Sequence, residues 1–294
     1  MIVVCIPARN EERTIAGVLI KARQHADKLV VCDDGSSDMT PQIAEALGAE
    51  VIRNPSASGY GAALRILFKR AAELNPDIMV TMDADGQHDA NEIPKLVKPV
   101  LDAEADVVIG SRFLSERDRS LRAYRRAGIK AITSLAQATS GLELTDAQSG
   151  FRAYNKQALA KVVPVELRMG ASAEILMRAA GEKLRVKEVP VRITYEGVDR
   201  SSHNSVMQGL DVVSSVLKFV SLRHPLLFYG TLGLATIILG LGYGYFTIES
   251  YASQAKPITN VALLSMAIVS SGLLLAFMAV ILFTLTSLVK ESGR

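Results

Sequence analysis

Ile78-Met79-Val80-Thr81-Met82-Asp83-Ala84-Asp85-Gly86-Gln87-His88-Asp89 is the stretch on which the fold turns. Its opening, Ile78-Met79-Val80-Thr81, reads as a buried strand, and two carboxylates, Asp83 and Asp85, stand one residue apart at its end. The core cannot take both, because an ionised carboxylate without a partner is very costly to remove from water. A hard divalent cation, Mg2+ or Mn2+, accounts for the pair. Such ions take oxygen ligands and often bridge one or two carboxylates to a substrate's phosphates. Taken alone, the segment reads equally as a solvated Asp-rich turn. The rest of the chain decides between the two.

Working outward, residues 1 to about 115 alternate strand and helix patterns. Ile2-Val3-Val4-Cys5-Ile6 is a continuous apolar run, as a central parallel strand requires. A helix from about Glu11 to Ala26 follows, then a strand at Leu29-Val30-Val31-Cys32 and a helix near Pro41 to Leu47. A strand at Glu50-Val51-Ile52, a helix from about Gly61 to Leu74 and a strand at Asp106-Val107-Val108-Ile109-Gly110 complete the alternation. This pattern predicts an α/β fold, a mostly parallel sheet with helices on both faces and right-handed crossovers. Ligands of such sheets bind beyond the carboxyl ends of the strands. Glu11-Glu12, Asp33-Asp34 and Asp83/Asp85 all fall at those ends, and three acidic clusters on one edge argue for a site rather than solvated turns.

The far end of the chain differs. Pro225 to Ile248 and Pro257 to Val289 contain no charged residue. Each exceeds the roughly 20 apolar residues that span a bilayer as a helix. Their Gly and Ser residues allow close helix approach, which leaves open self-association of copies through the spans. Lys218, Arg223 and His224 precede the first run, and Lys290 and Arg294 follow the second. That distribution places both ends in the cytoplasm and predicts a two-span protein of the cell membrane. The N-terminus has neither the basic region nor the long apolar region of a signal peptide. Residues 119–139 predict an amphipathic helix in the membrane interface, with Leu121, Tyr124, Ile132 and Leu135 opposite Arg122, Arg125, Arg126 and Lys130. An ordinary surface helix is the alternative. A second amphipathic stretch, residues 205–224, leads into the first span, so the expected division is 1–204, 205–224 and 225–290. The net charge of +3 over 294 residues disfavours a nucleic-acid partner. Cys5 and Cys32, in two expected core strands, read as small core residues rather than a disulfide.

Five ordered motifs now stand together: Pro7-Ala8-Arg9-Asn10-Glu11, Asp33-Asp34-Gly35-Ser36, Asp83-Ala84-Asp85-Gly86-Gln87, Gly110-Ser111-Arg112 and Asp146-Ala147-Gln148-Ser149-Gly150-Phe151-Arg152. Residues 1 to about 204 thereby resemble the inverting family 2 glycosyltransferases of GT-A fold. Within them the chain is most similar to the dolichol-phosphate mannose synthase and polyprenyl-phosphate glucosyltransferase group. The resemblance implies a nucleotide pocket lined by Pro7, Arg9, Glu11, Cys32 and Asp34, with Met82 and Ala84 beside the donor. It implies that Asp83 faces the nucleotide sugar, that Asp85 and Gln87 hold Mg2+ or Mn2+, and that Arg112 meets a diphosphate or the acceptor phosphate. Asp146, with Gln148, Ser149 and Arg152, would lie beneath the reacting sugar, and Arg125, Arg126 and Arg200 would hold a lipid phosphate. Two departures stand out: Ser202-His203 where the group often has Ser-Lys, and Tyr60 where it commonly has a basic residue.

The implied reaction is inverting transfer of a hexose from a nucleotide sugar (GDP-mannose or a UDP-hexose) to a polyprenyl or dolichyl phosphate, making a lipid-linked donor for glycosylation. Asp146 is left as either a base or an orienting group. Two rival readings fit the residues less well. A processive polysaccharide synthase carries Gln-x-x-Arg-Trp, and this chain has no tryptophan. A catalytically inactive membrane scaffold has no need of Asp83, Asp85 and Gln87.

Overall fold

A computed structural model describes residues 1–114, 133–134, 137, 141–168, 170–192, 221, 225–254 and 259–292. The expected interface helices lie outside the described residues, apart from Thr133, Ser134, Gln137 and Ser221, and so do Arg125, Arg126 and Arg200. The chain forms two compact units, Met1–Val216 and Leu217–Arg294.

The first unit is built on a seven-stranded sheet. Its strands are β1 (Ile2–Ala8), β2 (Lys28–Asp34), β3 (Glu50–Asn54), β4 (Ile78–Thr81), β5 (Val107–Ser111), β6 (Arg152–Asn155) and β7 (Val186–Pro190). They lie in the order β3-β2-β1-β4-β6-β5-β7. Every neighbouring pair is parallel except those of β6, which runs antiparallel to both β4 and β5. The sheet is therefore mostly parallel, as the alternation predicts, with one antiparallel strand inserted. β6 is four residues long and polar at both ends, so no apolar run announces it.

The continuous apolar runs work because successive side chains leave a strand on opposite faces. Val4 and Ile6 enter one core with Val31, Ile78, Val80 and Val108, while Val3 and Cys5 enter the other with Val30, Cys32, Met79 and Val107. Helices cover both. The first core is closed by α1 (Ile15–Ala22), α2 (Thr40–Ala46) and α4 (Ile93–Leu101), and the second by α3 (Tyr60–Leu74), α5 (Lys156–Lys161) and α6 (Ala171–Gly181). α1 begins four residues later than expected. The Glu11 carbonyl accepts from the Thr14 and Ile15 amides at 3.1 and 2.9 Å, so residues 11–14 form a turn. α4 holds Pro94 in its first turn and Pro99 inside it, which hides it from a reading by breakers. Cys5 and Cys32 are free and buried, and burial pushes both thiols up.

The second unit is a hairpin of α7 (Pro225–Gln254) and α8 (Thr259–Ser292). Pro225–Ser253 and Thr259–Leu285 are long and apolar enough to cross a membrane, with mean hydropathies of 1.7 and 2.5. The helices meet backbone to backbone. A Cβ at Gly233 would lie 2.9 Å from the Gly272 carbonyl oxygen, one at Gly272 the same distance from the Gly233 oxygen, and one at Gly240 2.7 Å from Val269 Cγ2. Ser265 Oγ donates to the Gly240 carbonyl at 2.8 Å.

Candidate active site

The carboxyl ends of β1, β2 and β4 carry the three acidic clusters to one edge. Near the end of β1 Pro7 is buried, and just after it Arg9 is exposed. Asn10 adopts a left-handed φ of 56°, and its side-chain oxygen accepts from the Ser37 amide at 2.8 Å, joining the loops after β1 and β2. The Glu11 amide donates to Thr40 Oγ1 at 2.7 Å, so the loop is fixed from the neighbouring helix. Burial and the charges of Asp85, Asp83 and Asp38 push the Glu11 carboxyl up to about 7 against the Thr14 hydrogen bond.

β4 ends at Thr81, whose hydroxyl donates to the Gly150 carbonyl at 2.8 Å. Met82 and Ala84 point into the first core, so only their backbone can face a ligand. Asp83 points out between them. Its Oδ1 accepts from the Tyr60 hydroxyl at 3.2 Å, and its Oδ2 lies 3.7 Å from His88 Nδ1. Burial raises the Asp83 carboxyl, while Tyr60, Arg112 and Arg152 pull it down. Burial pushes the His88 imidazole down to about 4, so it is neutral at pH 7, and its Nδ1 has no hydrogen-bond partner. Asp85 Oδ1 accepts from the Gln87 amide at 2.9 Å across a turn in which Gly86 takes a φ of 73°.

This donor set suits a hard cation that completes its shell from a substrate. Asp85 and Gln87 offer side-chain oxygens, the type Mg2+ and Mn2+ prefer. Among the described residues no group of three His, Cys, Asp or Glu could hold a metal by itself. Phosphate oxygens and water would have to supply the rest, which is usual for Mg2+.

Asp34 and Cys32 end β2. Cys32 packs into the second core, leaving its backbone at the edge. Asp34 is buried and accepts from Asn54 Nδ2, the Ser58 amide and the Gly59 amide at 2.8, 2.9 and 2.8 Å. Its carboxylate thus seats the loop that enters α3.

Asp146 and Arg112 form a second cluster. Asp146 is fully buried, and Arg112 Nε and Nη2 reach its two oxygens at 2.5 and 2.7 Å. Glu188 on β7 accepts from the Thr145 and Asp146 amides at 2.8 and 2.9 Å and so holds the loop. Both Asp146 oxygens thus pair with Arg112. Arg152 differs from expectation. It is buried, and its guanidinium donates to the Ser149, Ser172 and Ala147 carbonyls at 2.8 Å each. It shapes the 147–149 loop instead of meeting a ligand. Ser149 is buried and Gln148 half-buried in that loop. Sequence reasoning missed Glu188, an acidic residue in an otherwise ordinary short strand. It also assigned no role to His88, and the only signal for Tyr60 was its replacement of a basic residue.

The sequence profile of glycosyl transferase family 2 matches residues 3–163. The chain belongs to that family. This family 2 glycosyltransferase is 31% identical over 239 residues to a UDP-N-acetylglucosamine–dolichyl-phosphate N-acetylglucosaminyltransferase of Methanococcus voltae, covering 74% of this chain and 95% of that one. It is 36% identical over 186 residues to a dolichyl-phosphate hexose transferase of Haloferax volcanii, covering 62% of this chain and 78% of the other. Among solved structures it is similar to the glucosyl-3-phosphoglycerate synthase of Mycobacterium tuberculosis in complex with Mn2+, UDP and phosphoglyceric acid. That likeness has a TM-score of 0.59 at 23% identity, covers 74% of this chain and 78% of the other, and shows the shared GT-A fold.

Proposed function

We propose that this glycosyltransferase moves a hexose from a nucleoside-diphosphate sugar to the phosphate of a polyprenol, with inversion at the anomeric carbon. One observation carries the reading. A single chain joins an acidic strand-end cluster, Glu11, Asp83 and Asp85, to two helices long and apolar enough to cross a membrane. A lipid phosphate as acceptor is supported by the activities named for the Methanococcus voltae and Haloferax volcanii relatives.

Asp85 and Gln87 would hold Mg2+ or Mn2+, which when bound supplies Lewis-acid stabilisation of the departing nucleoside diphosphate. Pro7, Arg9 and Glu11, with the backbone of Cys32 and the loop seated by Asp34, would border the nucleotide, and Asp83 would face the sugar. The acceptor needs little help from a base. A phosphate monoester has a second pKa of about 6 and is largely ionised at neutral pH. This agrees with an Asp146 already engaged by Arg112. Arg125, Arg126 and Arg200 would bind the lipid phosphate through the paired hydrogen bonds that guanidinium makes with phosphate. The Lys and Arg residues flanking the two spans support cytoplasmic chain ends and transfer at the cytoplasmic face.

The test is to incubate the purified protein with polyprenyl phosphate and a panel of radiolabelled nucleotide sugars, then follow label into the organic phase. Transfer from at least one donor is expected, abolished by Asp85→Ala and by EDTA. Arg125→Ala and Arg126→Ala should each raise the KM for polyprenyl phosphate roughly ten- to a hundredfold, the size of a lost charge-assisted contact. No transfer from any donor would favour the inactive scaffold, and full activity in EDTA would remove the cation from the mechanism.

A further inference from the structure

Tyr60 occupies a built position. It lies between Gly59, whose φ is 101°, and Gly61. A Cβ at Gly59 would come within 2.6 Å of the Leu167 carbonyl oxygen, and one at Gly61 within 2.1 Å of the Glu166 oxygen. Neither position tolerates a side chain, so the first turn of α3 is seated directly on the 166–168 backbone. The Ala62 amide fastens it there by donating to the Leu167 carbonyl at 3.1 Å. From the other side, Asp34 Oδ2 accepts from the Gly59 amide at 2.8 Å. The Tyr60 ring packs against the second core, and its hydroxyl emerges 3.2 Å from Asp83 Oδ1.

Gly150 completes the arrangement. A Cβ there would lie 2.6 and 2.7 Å from the two Asp83 oxygens and 2.7 Å from the Tyr60 hydroxyl. The absent side chain is the space in which the phenol and the carboxylate meet. Asp83 Oδ1 is thereby held, while Oδ2 is left towards His88 Nδ1, a buried atom with no partner.

We infer that Tyr60 is a positioning residue of this glycosyltransferase: its hydroxyl fixes the Asp83 carboxylate and links it, through Gly59, to Asp34 at the expected nucleotide pocket. The inference rests on the proposed role of Asp83 at the donor sugar. It gives Tyr60 a task different from the basic residue it replaces. A cation at this position would pair with a diphosphate or a base edge, whereas a neutral phenol orients a carboxylate without cancelling its charge.

Tyr60→Phe keeps the packed ring and removes only the hydroxyl. Two measurements on the full chain in detergent decide the matter. The first needs no substrate: the melting temperatures of wild type, Tyr60→Phe, Asp83→Ala and the double variant. Two changes that break one contact should shift the melting temperature together no further than the larger single change. The second is kinetic. Tyr60→Phe should lower kcat about ten- to a hundredfold, the value of a hydrogen bond to a charged group, with the KM for nucleotide sugar within about twofold of wild type. A merely structural role would lower stability without this split. Additive melting shifts, or a kcat within twofold of wild type, overturn the inference. A wild type that transfers no sugar to polyprenyl phosphate overturns the functional reading instead, and the melting cycle still decides the Tyr60–Asp83 contact.

Discussion

Arg112 and Asp146 make a close charged pair in the cleft, and its energetics are those of a buried ion pair. Asp146 is fully buried, and the Arg112 side chain is 12% exposed. Removing one partner of such a pair leaves an uncompensated charge in the core and costs about 3–5 kcal/mol. Arg112→Ala should therefore lower stability by about that amount in urea unfolding, and Arg112→Ala with Asp146→Ala should lose less than the sum of the single changes. An Arg112→Ala protein as stable as wild type would show that the pair does not hold the loop. At this scale the sequence is legible where several unusual residues converge. Asp83 and Asp85 stand out because two carboxylates at a strand end need an explanation. Tyr60 and Glu188 do not, because a tyrosine in a helix and a glutamate in a strand are ordinary until their partners, Asp83 and the Thr145–Asp146 backbone, are seen.

Among the elements, β5, β6 and β7 are pinned together by one carboxylate. Asp106, just before β5, accepts from Asn155 Nδ2 at the end of β6 at 2.8 Å, and from the Arg185 amide and Nη2, just before β7, at 2.8 Å each. These bonds hold its carboxyl down at about 2, below the ordinary 3.8. A group whose folded pKa is depressed adds stability that is complete above the ordinary value and is lost as pH falls towards the folded one. The melting temperature of wild type should drop between about pH 3.8 and about pH 2. Asp106→Asn should be less stable at pH 7, by about 1.5–3 kcal/mol, and should flatten that acid limb. An unchanged acid limb would assign acid sensitivity elsewhere. The elements themselves were legible to the degree that they follow one periodicity. The apolar runs of β1, β2 and β4 and the amphipathic pattern of α3 appear where expected. β6 escapes because four residues reading Arg-Ala-Tyr-Asn carry no period, and α4 escapes because its prolines mimic a break.

The whole molecule combines a glycosyltransferase unit with a helical hairpin, and its orientation can be measured. If both chain ends are cytoplasmic, as proposed, the segment from Glu249 to Lys256 should face outside. Ser253→Cys, with Cys5 and Cys32 buried in the core, should react with an impermeant thiol reagent in intact cells. Labelling only after lysis would invert the topology. The two apolar helices were legible from charge alone, since each uncharged run is long enough to span a bilayer. The antiparallel β6 has a last consequence, for synthesis on the ribosome. Residues 1–81 can assemble β3, β2, β1 and β4 as they emerge, but β4 then ends the sheet with its Ile78–Thr81 edge unpaired. An apolar open edge invites pairing with other chains. It closes only when residues 152–155 arrive, after β5 has already been made. Nascent chains halted before residue 152 are thus expected to be aggregation-prone clients of chaperones. Because Gly150 arrives with the same segment, the half of the cleft formed by the loops after β1 and β2 is finished before the half around Asp83 exists.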